Sequence, residues 1–318
     1  LIDMSHWLSR CLAACFFLMA AVLAVPAAAQ SRVWVALGGE GGPYEEAAAV
    51  LRAEWRDKQL TVAAWTELAE RTGPPPDLVV SVGAAAFEGM LNSLQKRGPA
   101  WEAVPLLGTL LPQLAYQATL DKLRPGRRSV SAVLLDQPVA RQLALIERAL
   151  PARARVAVLT GPQSRSALNT LEREVQKHGM QLIATPAISA PEDIFPALKS
   201  VLEQADVLLA LPDTLVYNSA SLQNILLTTY RARVPVATFS PAYVKAGALL
   251  AVYSTPAQVA RQVVDRLRQW QRGQPLPEPS YPAEFAVIAN PRVASSLGIG
   301  LDDAARIAED LRAGERRG

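Results

Sequence analysis

Cysteine is almost absent from this 318-residue chain: Cys11 and Cys15 are the only two, and both lie near the beginning. Beyond them there is no thiol for a disulfide, a thiolate metal site or a cysteine nucleophile. Histidine is as scarce. After His6 only His178 remains, too little for a zinc site or a Ser-His-Asp triad. The sequence has no G-x-S-x-G elbow, no G-x-G-x-x-G and no Walker lysine. Ser93-Leu94-Gln95-Lys96 matches S-x-x-K, but without an S-D-N or K-T-G companion it reads as a solvated helix end. Net charge is only +3, with the basic residues scattered, which leaves no electrostatic footprint for nucleic acid. These gaps argue against an enzyme and indicate no metal or cofactor.

What is present is globular. Half of the residues are hydrophobic and 19% are charged, well away from a disordered composition, and the length suits two domains. One long apolar run, residues 11–25, follows Arg10 and ends at Pro26-Ala27-Ala28-Ala29. A positive start, an apolar core and an A-x-A site predict a signal peptide over residues 1–29, cleaved after Ala29, and a periplasmic mature protein. Leu12-Ala13-Ala14-Cys15 also matches a lipobox, the alternative in which Cys15 is lipid-anchored. The apolar run lies mostly after Cys15, which weighs against it. No second stretch is long and apolar enough to span a bilayer.

Short apolar runs closed by turn residues alternate with helical periodicity along the rest of the chain. Strands are expected at 33–37, 60–65, 78–82, 104–108 and 130–135, then at 155–159, 180–185, 207–211, 234–239 and 248–253, with a last one at 285–288. Helices stand between most of them. Runs this apolar suit strands buried on both faces of a parallel sheet, and βαβ alternation predicts a doubly wound α/β fold. The element order starts again near residues 126–138. The expectation is therefore two Rossmann-like doubly wound lobes joined by a hinge. Lobe 1 is placed at residues 30–128, with 248–275 returning to it. Lobe 2 is placed at 129–247, joined by 283–300, and 301–318 reads as a charged C-terminal helix.

Ligands in open α/β sheets bind at the carboxyl ends of the strands. Asp213 closes the run at 207–211 and is the leading candidate, a carboxylate for a ligand ammonium, with a turn or N-cap role as the alternative. Thr214, Tyr217 and Asn218 share its turn and offer a hydroxyl, a ring and an amide. Ser81, Gly83 and Thr109 end strands of lobe 1, where hydroxyls and backbone N–H groups suit a ligand carboxylate. Gln137, Ser240 and Tyr243 are further candidates on the rim. Gly38-Gly39-Glu40-Gly41-Gly42 reads as a βα turn lining the cleft, because Glu40 opposes a phosphate there.

Leu211-Pro212-Asp213, Val234-Pro235-Val236 and Tyr243-Val244-Lys245-Ala246-Gly247-Ala248-Leu249 resemble the ABC-transporter substrate-binding proteins of the type 1 periplasmic binding fold. The closing Val287-Ile288-Ala289-Asn290-Pro291-Arg292-Val293-Ala294, with Leu297-Gly298-Ile299, is similar to that family's ending. The resemblance implies a non-enzymatic protein that captures a small ligand, an amino acid among the possibilities, and hands it to an ABC permease. The chain departs from the pattern after the third strand, where Gly83-Ala84-Ala85-Ala86 replaces a Gly-Thr-rich loop and removes hydroxyls from a carboxylate site. The alternative on the same lobes is a ligand-sensing module acting on a membrane sensor partner.

Overall fold

The computed structural model describes residues 31–55, 59–122 and 128–317. The expected signal peptide, Cys15 and most of the turn at 125–128 lie outside the described residues. Five strands form the first sheet: β1 (Arg32–Leu37), β2 (Gln59–Ala64), β3 (Leu78–Val82), β4 (Leu106–Leu111) and β5 (Val130–Leu134). Their order is β2-β1-β3-β4-β5 and all pairs are parallel. β3 and β4 are buried along their whole length, as strands covered by helices on both faces must be. Val33, Val35 and Val80 pack on Ala47 and Leu51 of α1 (Gly42–Glu54). Trp34, Ala36 and Val79 point the other way, onto Phe87, Met90 and Leu94 of α3 (Ala84–Lys96). Between them lies a short α2 (Trp65–Glu70), which takes Trp65 from the expected end of the strand at 60–65. α4 (Pro99–Glu102) and α5 (Gln113–Leu120) flank β4.

The second sheet holds β6 (Arg155–Val158), β7 (Gln181–Ala184), β8 (Val207–Leu209), β9 (Val236–Thr238), β10 (Leu250–Tyr253) and β11 (Ala286–Ala289). The order is β11-β10-β9-β8-β6-β7, parallel except for the antiparallel β10–β11 pair. Val156 and Val158 face α6 (Val139–Ala149), α7 (Leu168–Lys177) and α13 (Ala304–Glu315). Ala157 and Leu208 face α8 (Ile194–Leu202), α9 (Leu222–Arg231) and α10 (Pro241–Ala246). A short α12 (Pro291–Ser296) follows β11.

The chain passes between the sheets three times. The first crossing is residues 135–138 and the second is 254–255. It opens α11 (Pro256–Gln271), which returns to the first sheet with Val259, Val263, Val264 and Leu267 fully buried. Each such side chain contributes about 1.5–3 kcal/mol on burial, enough to hold the helix there. The third crossing runs along β5, pairing Ser280 with Ala132 and Leu134 through two backbone hydrogen bonds, and then delivers Phe285 to the second core.

Two expected boundaries move. Residues 130–134 do not open the second lobe: β5 pairs with β4, and its other side is covered by the segment around Ser280. Residues 248–253 do not return to the first lobe: β10 lies between β9 and β11, and the crossing comes only at the Thr255 capping box. In both cases the strand stays with the parallel neighbour that satisfies its backbone, and the chain crosses at the polar turn after it.

Candidate functional site

The carboxyl ends of both sheets face one cavity of about 530 Å³. Pro43, Tyr44 and Glu46, at the start of α1, line it from the first lobe, with Leu110 near the end of β4 and Pro112 just beyond it. Pro212, Phe239, Ser240 and Pro241 line it from the second lobe. Leu135, Asp136 and Gln137 of the first crossing close it with Tyr253, Ser254, Thr255 and Pro256 of the second. The wall is built from strand-to-helix turns. Pro241 and Pro256 occupy the first position of their helices, where proline is preorganised and lacks an N–H that the helix would leave unpaired. Leu135 is 41% exposed here, an apolar side chain held open on the cavity wall.

Local backbone geometry shapes this wall. The β4–β5 register shifts between Thr109 and Leu111, and Leu110 takes φ 50°. A left-handed non-glycine residue stores strain, and here it lies on the cavity wall. Tyr44 lies over two glycines. A Cβ on Gly83 would come within 2.6 Å of the Tyr44 ring, and one on Gly39 within 2.9 Å. Gly83 has φ 94° and precedes α3, so the ring lies close to the start of that helix. Asp136 accepts a hydrogen bond from the Gln113 backbone N–H at 2.6 Å, at the start of α5. Burial pushes the Asp136 carboxyl above its ordinary range, and that backbone bond works in the opposite direction.

Behind the cavity the crossings are tied together. Gln137 donates to Ser254 Oγ at 2.9 Å, and Ser254 donates to the Glu284 carbonyl at 2.5 Å. Arg141, 7% exposed, donates to Gln137 Oε1 and the Pro282 carbonyl. Its other nitrogens hold Glu315 of α13 at 2.5 and 3.0 Å, and its guanidinium stacks over the Phe285 ring at 4.2 Å. One side chain thus touches all three crossings or their partners and the C-terminal helix.

Of the residues expected from the sequence, Gln137 and Ser240 line the cavity. Gln137 is bound into the crossing network, and Ser240 caps α10 by accepting from Ala242 N–H. Asp213 does not line it. Its carboxylate is buried and accepts from Gln163 N–H, Ser164 N–H and Ser164 O–H through Oδ2, and from Leu215 and Val216 N–H through Oδ1. Five donors saturate a carboxylate, so it braces two turns and has nothing left for a ligand ammonium. Gly161 lies against it, where a Cβ would meet Oδ1 at 2.6 Å. Asn218 is likewise engaged with Thr214, Leu215, Ala220 and Ser221 backbone. Thr214 is exposed outside the cavity wall. Tyr217 is buried in the second core, where burial holds its phenol proton tightly. Tyr243 donates to the Tyr217 carbonyl and packs edge-on against Phe239 at 5.3 Å, backing the wall from behind. Ser81 and Thr109 are fully buried, and Gly83 lies beneath Tyr44. None of these three reaches the cavity wall.

Sequence reasoning missed Tyr44, Glu46, Leu110, Leu135, Asp136, Phe239 and Tyr253. A signal for several of them existed: a proline stands in the turn after each strand that contributes to the wall, at 43, 112, 138, 212, 241 and 256. Polarity is a poor guide to this wall, which is mostly apolar.

A family model described as ABC transporter substrate binding protein matches residues 77–308. Among solved structures, a ligand-free, open substrate-binding protein with adhesive properties from Clostridium difficile aligns with TM-score 0.68 at 14% identity, over 86% of this chain and 96% of that one. An ABC domain from Streptococcus pneumoniae in complex with L-Trp aligns with TM-score 0.60 at 15% identity, over 88% and 98%. A conserved domain protein from Vibrio cholerae aligns with TM-score 0.58 at 18% identity, also over 88% and 98%. At these identities the likeness is one of fold. Comparison with curated protein sequences gives no match.

Proposed function

The chain belongs to the ABC transporter substrate-binding protein family, with its type 1 periplasmic binding fold, and from that premise we propose that it captures a small ligand between its lobes and delivers it to an ABC importer. The observation that carries this reading is the cavity of about 530 Å³ bounded by strand ends of both sheets. That size is right for a small molecule, and its walls belong to two bodies connected by three crossings. Ligand contacts on both walls favour the closed arrangement, because only that arrangement lets one ligand touch both. A permease then reads the closed form.

Family membership supports the importer over a membrane sensor as the partner. It also supports binding without turnover: the hydroxyls on the wall at Ser240, Ser254 and Thr255 are engaged in a cap, a crossing and a capping box. An aromatic body suits Tyr44, Phe239 and Tyr253, and the Streptococcus pneumoniae relative in fold carries L-Trp. Of the amino-acid expectation, the ammonium contact at Asp213 is withdrawn. We place the mature protein in the periplasm, released by cleavage after Ala29. The intact mass of the exported protein checks this, since a chain starting at Gln30 and a lipidated Cys15 differ plainly.

The test is a thermal-shift panel of small solutes followed by small-angle scattering. A ligand at a hundred times its Kd stabilises the folded protein by about 2.7 kcal/mol, and it is expected to reduce the radius of gyration. Leu135→Trp fills the cavity from an already exposed position and is expected to abolish both effects. A ligand that binds Leu135→Trp as tightly as wild type removes the cavity from the reading.

A further inference from the structure

We infer that the cleft selects an aromatic or alkyl amine that carries no carboxylate. This deepens the solute-binding reading and rests on it. The argument begins with what an anion would need. In clefts of parallel α/β sheets, anions are held by backbone N–H groups at helix starts. At four of the helix starts around this cavity those donors are already engaged or covered, and the fifth, the start of α1 after Gly41, has no side-chain cap but carries Glu45 in its first turn and Glu46 on the wall. The start of α10 has proline at its first position and the Ser240 hydroxyl on Ala242 N–H. The start of α11 has Pro256 and a complete capping box between Thr255 and Gln258. The Asp136 carboxylate holds the first N–H of α5. The start of α3, after Gly83, lies under the Tyr44 ring, with no room for even one added carbon between them.

Charge points the same way. The acidic side chains on the cavity wall are Glu46 and Asp136, and among the described residues no Lys, Arg or His lines it. A ligand carboxylate would enter beside two carboxylates and find no counter-charge, losing its water without compensation. An ammonium meets the reverse. Asp136 keeps lone pairs beyond the one that Gln113 N–H takes, and a carboxylate accepts from several donors at once. The rings of Tyr44, Phe239 and Tyr253 on the same wall attract a cation through their faces, while Leu110 and Leu135 cover an apolar body. A free α-amino acid would satisfy this wall with its ammonium and side chain and offend it with its carboxylate.

The test uses ligand pairs that differ only by that carboxylate: 2-phenylethylamine against L-phenylalanine, and tryptamine against L-tryptophan, each measured by calorimetry at neutral pH on the purified protein. The amine of a pair is expected to bind at least about tenfold more tightly than its amino acid. Asp136→Asn keeps an oxygen for Gln113 N–H and is expected to weaken the amine by roughly tenfold or more, with an unchanged circular dichroism spectrum. The inference is overturned if the amino acids bind as well as the amines, or if no amine binds. Leu135→Trp separates the two levels of the argument. An amino acid that binds wild type and is lost in Leu135→Trp leaves the cleft reading standing and sinks the amine. An amine that binds both proteins equally sinks the cleft reading as well.

Discussion

Two aspartates stand at the ends of β-strands on opposite sides of the cleft, and their surroundings give them opposite tasks. Asp213, beyond β8, meets five hydrogen-bond donors from two turns and is 3% exposed. Asp136, beyond β5, meets Gln113 N–H and the cavity. The first is a brace inside one lobe. The second has bonding capacity left and opens where a ligand would lie. The difference is one of valency: a carboxylate becomes a ligand contact only when the fold leaves it donors to find.

The largest effect should come from breaking the brace. Asp213→Ala leaves four N–H groups, two of them buried, and the buried Ser164 hydroxyl without their acceptor. It is expected to cost about 3–4 kcal/mol, which lowers Tm by roughly 10 °C in a chain of this size. Thermal and urea denaturation measure it. If Asp213→Ala instead melts with wild type and loses ligand, the assignment of the two aspartates is reversed.

Next is the crossing network, which belongs to neither side. Arg141→Met strips the Gln137 side chain and the Pro282 carbonyl of a buried donor and is expected to cost roughly 2 kcal/mol. Glu315→Gln removes only the charge of a partly exposed partner and should cost less than about 1 kcal/mol. Scattering curves of Arg141→Met should show a broader range of lobe arrangements than wild type. An unchanged curve and Tm would mean that the lobes are held by their cavity walls alone.

The same valency argument explains what the sequence revealed and what it hid. Buried runs such as those of β3, β8 and β10 are visible as apolar stretches, so the two-sheet fold is legible, as is the family. Strand ends are legible too, and they led to the right turns. They did not tell which side chain in a turn faces outward. Asp213 and Asn218 look like ligand groups in one dimension, and become turn braces only when residues some fifty positions away, at Gln163 and Ser164, fold against Asp213. Leu135 looks like one more core residue, because nothing local marks where β5 stops being covered. Lobe boundaries were misplaced for a related reason. β5 and β10 are each followed at once by a crossing, and sequence order does not say on which side of it a strand pairs.

A smaller effect sharpens the first lobe's side of the comparison. Gly83→Ala places a carbon within 2.6 Å of the Tyr44 ring at a residue with φ 94°. The backbone preference alone costs about 1 kcal/mol, and the contact adds to it. Tyr44→Ala in the same chain should recover the contact part and leave the backbone part, which a double-mutant cycle on urea stability resolves. Strict additivity of the two substitutions would mean that the ring does not sit over the glycine in solution.

The smallest effect concerns protons. Burial raises the Asp136 carboxyl above its ordinary value, so the folded protein holds that proton more tightly than the unfolded chain does. Stability attributable to this group is then greatest at acid pH, declines as pH rises through the interval between the unfolded and folded values, and stays lower above it. Asp136→Asn cannot ionise. Relative to wild type it should gain stability near neutral pH, with the gain vanishing as the pH falls below the ordinary carboxylate range. Tm differences measured in a pH series would show a slope of that sign. A bound amine reverses the preference, because its ammonium favours the ionised carboxylate, so amine affinity should fall on acidification in wild type and stay flat in Asp136→Asn. A Tm difference independent of pH would mean that the folded protein holds the Asp136 proton no more tightly than the unfolded chain does, and burial would not be what marks this carboxyl.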